Sequence, residues 1–522
     1  MTPHEIHRAW KERREIALID LREEHVFANA HPLFAACLPL SRLELGLRDR
    51  IPRTDTGIVV YDDGEGLVAP AIQRLTGWGY SNVSAMDGGL ASWREAGLEL
   101  FADVNSPSKA FGELVEHHVG TPHVRATELQ RWIDDKDDIV ILDARRFDEY
   151  NRMTIPGSIS VPGAELVLRA AAIAPDPATT IVVNCAGRTR SIIGAQSLIN
   201  AGLPNPVKAL ANGTMGWMLD DQQLELGQTR AYPEVDAARI AEAARRSQRI
   251  AQRAGVRWIS FREVEALRAT RTVYAFDVRS PAEHEANHPA GFRTAPGGQL
   301  VQETDMFAPV RGAVIAVFDD HQTRANMTAS WLAQMGWDAR VLDTQSPIPW
   351  LDKPEPAGDA GTPDCETVDV AALAALLDRG GLLLDFASST QFRTGHIPGA
   401  IFVMRGRMAA DLDDAARARP IALTAPDGRL AAIAAAEVRA LTGHAPRVLA
   451  GGTAAWIAAG KALETGFAPA LSPAEDVYRR PYEGIDNPRE AMQAYFDWEY
   501  GLVAQLERDG SHNFFVLASE PD

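Results

Sequence analysis

The 522-residue sequence holds only three cysteines, Cys37, Cys185 and Cys365, and they stand far apart. No Cys-x-x-Cys occurs, which leaves a structural zinc site or a redox dithiol without sequence support. No uninterrupted apolar run reaches the roughly 18 residues of a membrane span, and no basic-then-apolar leader opens the chain. No basic block offsets the formal net charge of -18, which argues against a nucleic-acid partner. Together these absences predict a soluble cytoplasmic chain with no membrane contact, in a reducing compartment that keeps thiols free. Nothing calls for an organic cofactor or a metal. The 46% hydrophobic content is ordinary for a globular protein. The length exceeds one core and predicts roughly three to five domains.

What the chain does have is a weak pattern repeated along its length. Apolar strands end in aspartate at Asp20, Asp143, Asp277 and Asp385. Arginine follows two positions later in three of them, Arg22, Arg145 and Arg279. A second apolar strand then leads into a loop and an apolar helical run, at Ile58-Val-Val-Tyr-Asp62, Ile181-Val-Val-Asn-Cys185, Ile315-Ala-Val-Phe-Asp319 and Ile421-Ala-Leu-Thr-Ala425. The helical runs end near glycine, a common C-cap. Three units close with a glycine turn and a tryptophan, at Gly89 and Trp93, Gly213 and Trp217, and Gly452 and Trp456. Strands alternating with helices predict α/β units, each with a mostly parallel central sheet flanked by helices. The predicted divisions are 1–105, 120–230, 254–346 and 365–470. Between them, 231–253 reads as a helical linker and 347–364 as a flexible or extended one. An aromatic C-terminal extension, 471–522, is expected to pack against the fourth unit, with a ligand surface as the lesser alternative.

Cys185 is the residue that looks built for chemistry. It lies between a strand end and a helix start, in Cys185-Ala-Gly-Arg-Thr-Arg-Ser191, where unpaired backbone N–H groups favour a thiolate. Arg188 and Arg190 favour it further. Gly187 is expected to permit the tight turn that aims the N–H groups inward. Ser191 reads more readily as a helix cap than as a hydrogen-bond donor to the sulfur. Arg145 is equally suited to an ion pair with Glu149 and to substrate contact. Asp143 is expected to fix the strand end, and Trp217 to pack beside the loop. Cys37, among Ala35, Ala36 and Leu38, reads as packed. Cys365, beside a linker, reads as exposed, with a relay thiol the minor alternative.

The order and spacing of these pieces resemble the rhodanese sulfurtransferase superfamily, in a tandem four-domain form over about residues 1 to 470. The resemblance rests on Asp143-Ala-Arg145, Ile155-Pro156-Gly157, the Cys185 loop and Gly213 to Trp217 in the second unit. In the fourth it rests on Asp385, His396-Ile-Pro-Gly399 and Gly452 to Trp456. It implies that the family's cysteine position is held by Asp62, Cys185, Asp319 and Ala425, hence one sulfurtransferase site and three inactive units. Thr154 stands where the fourth unit has His396, and Asn212 where the other turns begin with glycine. The implied activity moves sulfane sulfur from thiosulfate, or a similar small anionic donor, through a Cys185 persulfide to a thiol, cyanide or protein acceptor. Arg188 and Arg190 are expected to hold the donor's sulfonate, since planar guanidiniums suit paired oxygens.

Two alternatives stand beside this reading. A cysteine phosphatase places five residues between its cysteine and arginine, whereas four separate Cys185 from Arg190, and no aspartate is positioned as the acid. A sulfur-carrier or interaction scaffold would account for three units without a thiol, which are also candidates to shield a persulfide, dock an acceptor or form a homodimer surface. In that setting Asp62 and Asp319 read chiefly as fillers of their own loops.

Overall fold

The computed structural model describes every residue except 354, 357, 360–362, 415–417 and 519–522. Four five-stranded sheets organise the described residues. In the second, Thr180–Asn184 is central, paired in parallel with Ile139–Asp143 and Val207–Leu210, while His123–Val124 and Ile159–Ser160 form the edges. Ile181, Val182 and Val183 are fully buried, as expected for a β-branched strand covered on both faces. The third and fourth sheets repeat this strand order around Val314–Phe318 and Ile421–Thr424. The first has Ile58–Tyr61 beside Ile16–Asp20, and gains an antiparallel strand, Val310–Arg311, from the third unit.

The registers make the four units equivalent residue by residue. Asp20 pairs with Tyr61, Asp143 with Asn184, Asp277 with Phe318 and Asp385 with Thr424. The next residue in each case is Asp62, Cys185, Asp319 or Ala425. Each therefore leaves the carboxyl end of a parallel strand, where open α/β sheets place their ligand crevices.

The connecting segments are more tightly held than their composition predicts. Ala237–Arg253 is a helix capped by Asp236, and it packs along Thr323–Gln334 and Leu166–Ile173. Part of the 347–364 linker lies outside the described residues. Its described portion is extended and anchored: Trp350–Leu351 pairs with His288–Pro289, and the Gly358 carbonyl accepts from the Arg48 N–H at 2.8 Å. Cys37 is buried, as expected, whereas Cys365 is half-buried against the fourth unit's core.

Three helices change the architecture. Ser106–Val119, lying between the first two predicted divisions, is buried over its first ten residues and packs on Thr189–Asn200. The aromatic extension does not pack on the fourth unit. Its helix Arg489–Tyr500 joins Met215 of the second unit in a separate apolar cluster through Met492, Tyr495 and Phe496. The following helix, Leu502–Asp509, buries Leu502 and Leu506 in the first unit's core. Among the described residues, the stretch around Ser472 and Asp476 touches the fourth unit, where Asp476 accepts from the Ser389 N–H at 2.9 Å. Phe514 to Leu517 forms no strand but anchors to Gln334 through the N–H groups of Phe515 and Leu517.

Candidate active site around Cys185

Cys185 follows the central strand and is 2% exposed. Its thiol donates to the Ser191 hydroxyl at 3.6 Å, and Ser191 donates to the Arg188 carbonyl at 2.7 Å. Ser191 is therefore not a cap. Arg188 holds the N-cap position, and the hydroxyl closes the loop from within. Gly187 does not supply a left-handed turn. It supplies space, because Met215 Cε and Tyr495 Cε1 lie 3.2 and 3.5 Å from where its Cβ would be. The glycine that the loop needs for its conformation is Gly213, at φ +55, whose Cβ would strike the carbonyls of Cys185 and Gly187. Gly89 and Gly452 meet the carbonyls of Asp62 and Ala425 in the same way.

The thiol is not held below its ordinary range, as the loop sequence predicts, but above it. Burial is the largest influence and raises its pKa. The charge of Arg190, the Ser191 side chain and the N–H groups of Ser191 and Gly187 act in the opposite direction. Desolvation of a thiolate beneath a closed surface outweighs these favourable contacts.

The arginines are not equivalent. Arg190 forms a bidentate pair with Glu149 at 2.7 and 2.8 Å. Desolvation of the half-buried Glu149 acts to raise its pKa, but Arg190 leads the influences that hold its carboxyl down at about 2. Arg188 is turned to Glu113 of Ser106–Val119 at 2.7 and 2.9 Å, to Asn212 at 3.2 Å, and under the Tyr500 ring. The structure thus brings Arg190 to the sulfur's environment and assigns Arg188 to docking the preceding helix. Arg145 does not pair directly with Glu149. Its guanidinium is fixed by Asp143 and the Met153 carbonyl, and Asp143 also accepts from Thr154 and Asn184. Trp217 is fully buried, with its indole N–H donating to the Gln223 carbonyl.

Residues beyond the reach of the local motif complete the site. Lys109, 1% exposed, pairs with Asp103 at 2.6 Å and lies 5.1–5.5 Å from the ring centroids of Tyr482, Tyr495 and Trp498. Burying a cation requires such pairing, and the rings add cation–π attraction. Glu499, fully buried, accepts from the Tyr495 hydroxyl at 2.9 Å through Oε1. Its Oε2 has no partner and faces Gly187. Burial pushes its carboxyl up to about 8, reinforced by Glu113 and only partly offset by Lys109 and Arg188, each of which pairs with another acid. Beyond the Arg190–Glu149 pair lies a cavity of about 370 Å³, lined also by Arg146, Arg152, Arg480 and Tyr482.

The equivalent loops carry their own anions. Asp62 accepts from the N–H groups of Gly64 and Leu67, at 3.2 and 2.6 Å. Asp319 accepts from those of His321 and Arg324, at 3.1 and 2.7 Å, and pairs with the Arg324 guanidinium. Among the described residues no group of three or more His, Cys, Asp or Glu is arranged to hold a metal, and no helix is long and apolar enough to cross a membrane.

Comparison with known proteins agrees with this organisation. A family model described as "Rhodanese-like domain" matches residues 2–96, 125–220 and 369–459. A solved structure described as thiosulfate sulfurtransferase from Pseudomonas aeruginosa is 54% identical, with 99% of each chain covered and a TM-score of 0.96. An uncharacterized protein of Synechocystis sp. is 30% identical over 98 residues, 19% of this chain. The match spans 53%, about half, of that curated relative's length. With three segments matched, together more than half its length, and one sheet order recurring, the chain belongs to the rhodanese family.

Proposed function

We propose that this protein is a sulfurtransferase that moves sulfane sulfur from thiosulfate, or a similar small anionic donor, to a thiophilic acceptor through a persulfide on Cys185. The observation that carries the reading is a single thiol among four equivalent strand ends, in a chain that resembles from end to end a protein described as a thiosulfate sulfurtransferase. The reaction belongs to the unit spanning 120–230, and the units at 1–105, 254–346 and 365–470 lack the nucleophile.

In the first half-reaction the Cys185 thiolate attacks the outer sulfur of thiosulfate. The Sγ–S bond forms, the donor's S–S bond breaks, and its electron pair leaves with sulfite. The N–H groups of Gly187 and Ser191 hold the charge that remains on the outer sulfur. Arg190 meets the donor's oxygens from the adjoining cavity, exchanging part of its contact with Glu149. In the second half-reaction a thiol, cyanide or protein acceptor attacks the outer sulfur and Cys185 leaves as thiolate. This is covalent catalysis with ping-pong kinetics. The three free cysteines fit a reducing compartment, and we place the reaction in the cytoplasm.

The test is the intact mass of the reduced protein after thiosulfate, beside Cys185→Ser. A cyanide-labile gain of about 32 Da in the unmodified chain alone is the expected outcome for one added sulfur on the nucleophile. No gain with thiosulfate or with other sulfane-sulfur donors refutes the proposal and leaves the scaffold reading.

A further inference from the structure

Most buried arginines of this protein are answered by carboxylates: Arg22 by Asp20, Arg145 by Asp143, Arg279 by Asp277, Arg405 by Glu44. The half-buried Arg50 and Arg293 are not. Among the described residues neither guanidinium makes an ion pair, and Arg293 Nη2 is buried without any hydrogen-bond partner. Arg50 closes the short helix Leu47–Arg50 of the first unit, and Arg293 opens the strand Arg293–Thr294 of the third. Both line one cavity of about 410 Å³ between these units, walled also by Phe27, Met306 and Phe307. Burial lowers the proton affinity of both, and Arg50 lowers that of Arg293 further. Two like charges are thus held close enough to repel, in a partly dry space.

The carboxylates on the same wall do not cancel them. Asp49 is the one acid that attracts both, and its Oδ2 accepts from the Gly358 N–H at 2.9 Å. Glu24 lies 3.5 Å from Arg480. Burial pushes the Asp305 carboxyl up to about 7, so near neutrality it can donate a hydrogen bond. Glu303 sits on the wall shared with the cavity beside Arg190. Cys37 also faces this space, but burial and neighbouring acids push its thiol well up, so it is a weak donor and not a nucleophile.

We propose that the cavity between Arg50 and Arg293 is a second anion site, separate from Cys185, that takes a small oxyanion such as sulfite, thiosulfate, sulfate or phosphate. Unpaired guanidiniums presented into a confined space match the paired oxygens of such ions. The site adjoins the cavity beside Arg190 through Asn105, Glu303 and Arg480, but it stands whether or not Cys185 transfers sulfur.

The experiment uses the full chain with Cys185→Ser, so that no persulfide forms. Calorimetric titration with sulfite, thiosulfate, sulfate and phosphate is compared among this protein, Arg50→Gln and Arg293→Gln, with thermal midpoints checked for each. Saturable binding that weakens at least tenfold in either variant is expected. Tighter binding of sulfite and thiosulfate identifies a sulfur-oxyanion site, and tighter binding of phosphate or sulfate a general one. Crystals of the same protein with both arginines intact, soaked in selenate, provide a readout independent of variant folding. An anomalous peak between Arg50 and Arg293 supports the site. Its absence, or unchanged affinity in both variants, overturns the proposal.

Discussion

Replacing Glu499 with glutamine should stabilise the seal over the Cys185 loop, and should do so only as pH rises. The carboxyl is fully buried, its Oε2 is unpartnered, and burial pushes its pKa from the ordinary carboxylate range up to about 8. The folded protein therefore holds a proton that the opened chain releases. For such a raised acid, stability is full below the unfolded pKa and falls as pH climbs towards the folded one. At about 1.4 kcal/mol per unit, the loss is on the order of 3 kcal/mol at pH 7 and 4 kcal/mol at pH 8, where the folded carboxyl is itself half ionised. Glutamine keeps an acceptor for the Tyr495 hydroxyl and has no proton to lose. Hydrogen exchange across Arg489–Tyr500, measured for both proteins between pH 5 and 8 after correction for intrinsic exchange, reads the opening free energy directly. The variant's advantage should grow with pH over that interval. A difference that stays flat from pH 5 to 8 would refute the assignment of a buried, protonated Glu499.

Four further outcomes follow from the site. Persulfide formation from thiosulfate, followed by rapid-quench mass analysis, should accelerate about tenfold per pH unit from 6 to 8, because burial keeps Cys185 protonated there; a flat profile means the thiolate is already formed. Glu149→Gln frees Arg190 from its bidentate carboxylate and should lower the KM for thiosulfate several-fold with kcat little changed; a raised KM would show that Glu149 is needed to aim the arginine. Gly213→Ala drives a Cβ into the loop carbonyls and should slow persulfide formation by about a hundredfold with circular dichroism unchanged. Lys109→Met leaves Asp103 buried without its cation, which costs about 3–5 kcal/mol and should expose the C-terminal helices to limited proteolysis.

The strands and the Cys185 loop were legible because their signals are local. A β-branched run followed by a loop and a helix has few foldings, and the strand-ending aspartates recur in register across all four sheets. The pairing of Arg188 was not legible because its partner, Glu113, lies on a helix distant in sequence, which the pattern of a single loop cannot show. The cover formed by Tyr482, Tyr495 and Glu499 was likewise invisible, since nothing in an aromatic run states what it will pack against. Gly213 did leave a trace. The repeat places Gly89 and Gly452 at the same point of their turns, and all three press against a strand-end carbonyl. The raised pKa of Cys185 could not be read from favourable neighbours alone, because it depends on how completely the site is closed.

The helix that closes the Cys185 loop is encoded more than half the chain downstream of it, and this orders events during synthesis. The second sheet can form as soon as Val207–Leu210 leaves the ribosome, with Met215 and the Gly187 face still bare. Until Arg489–Tyr500 is made, Cys185, the proposed nucleophile, lacks that cover, and the burial that raises its pKa is incomplete. A growing chain thus passes through a stage with an unguarded thiol, and translation of its last helices converts that thiol into a sheltered one. A nascent chain stalled before Arg489 would carry Cys185 without its cover.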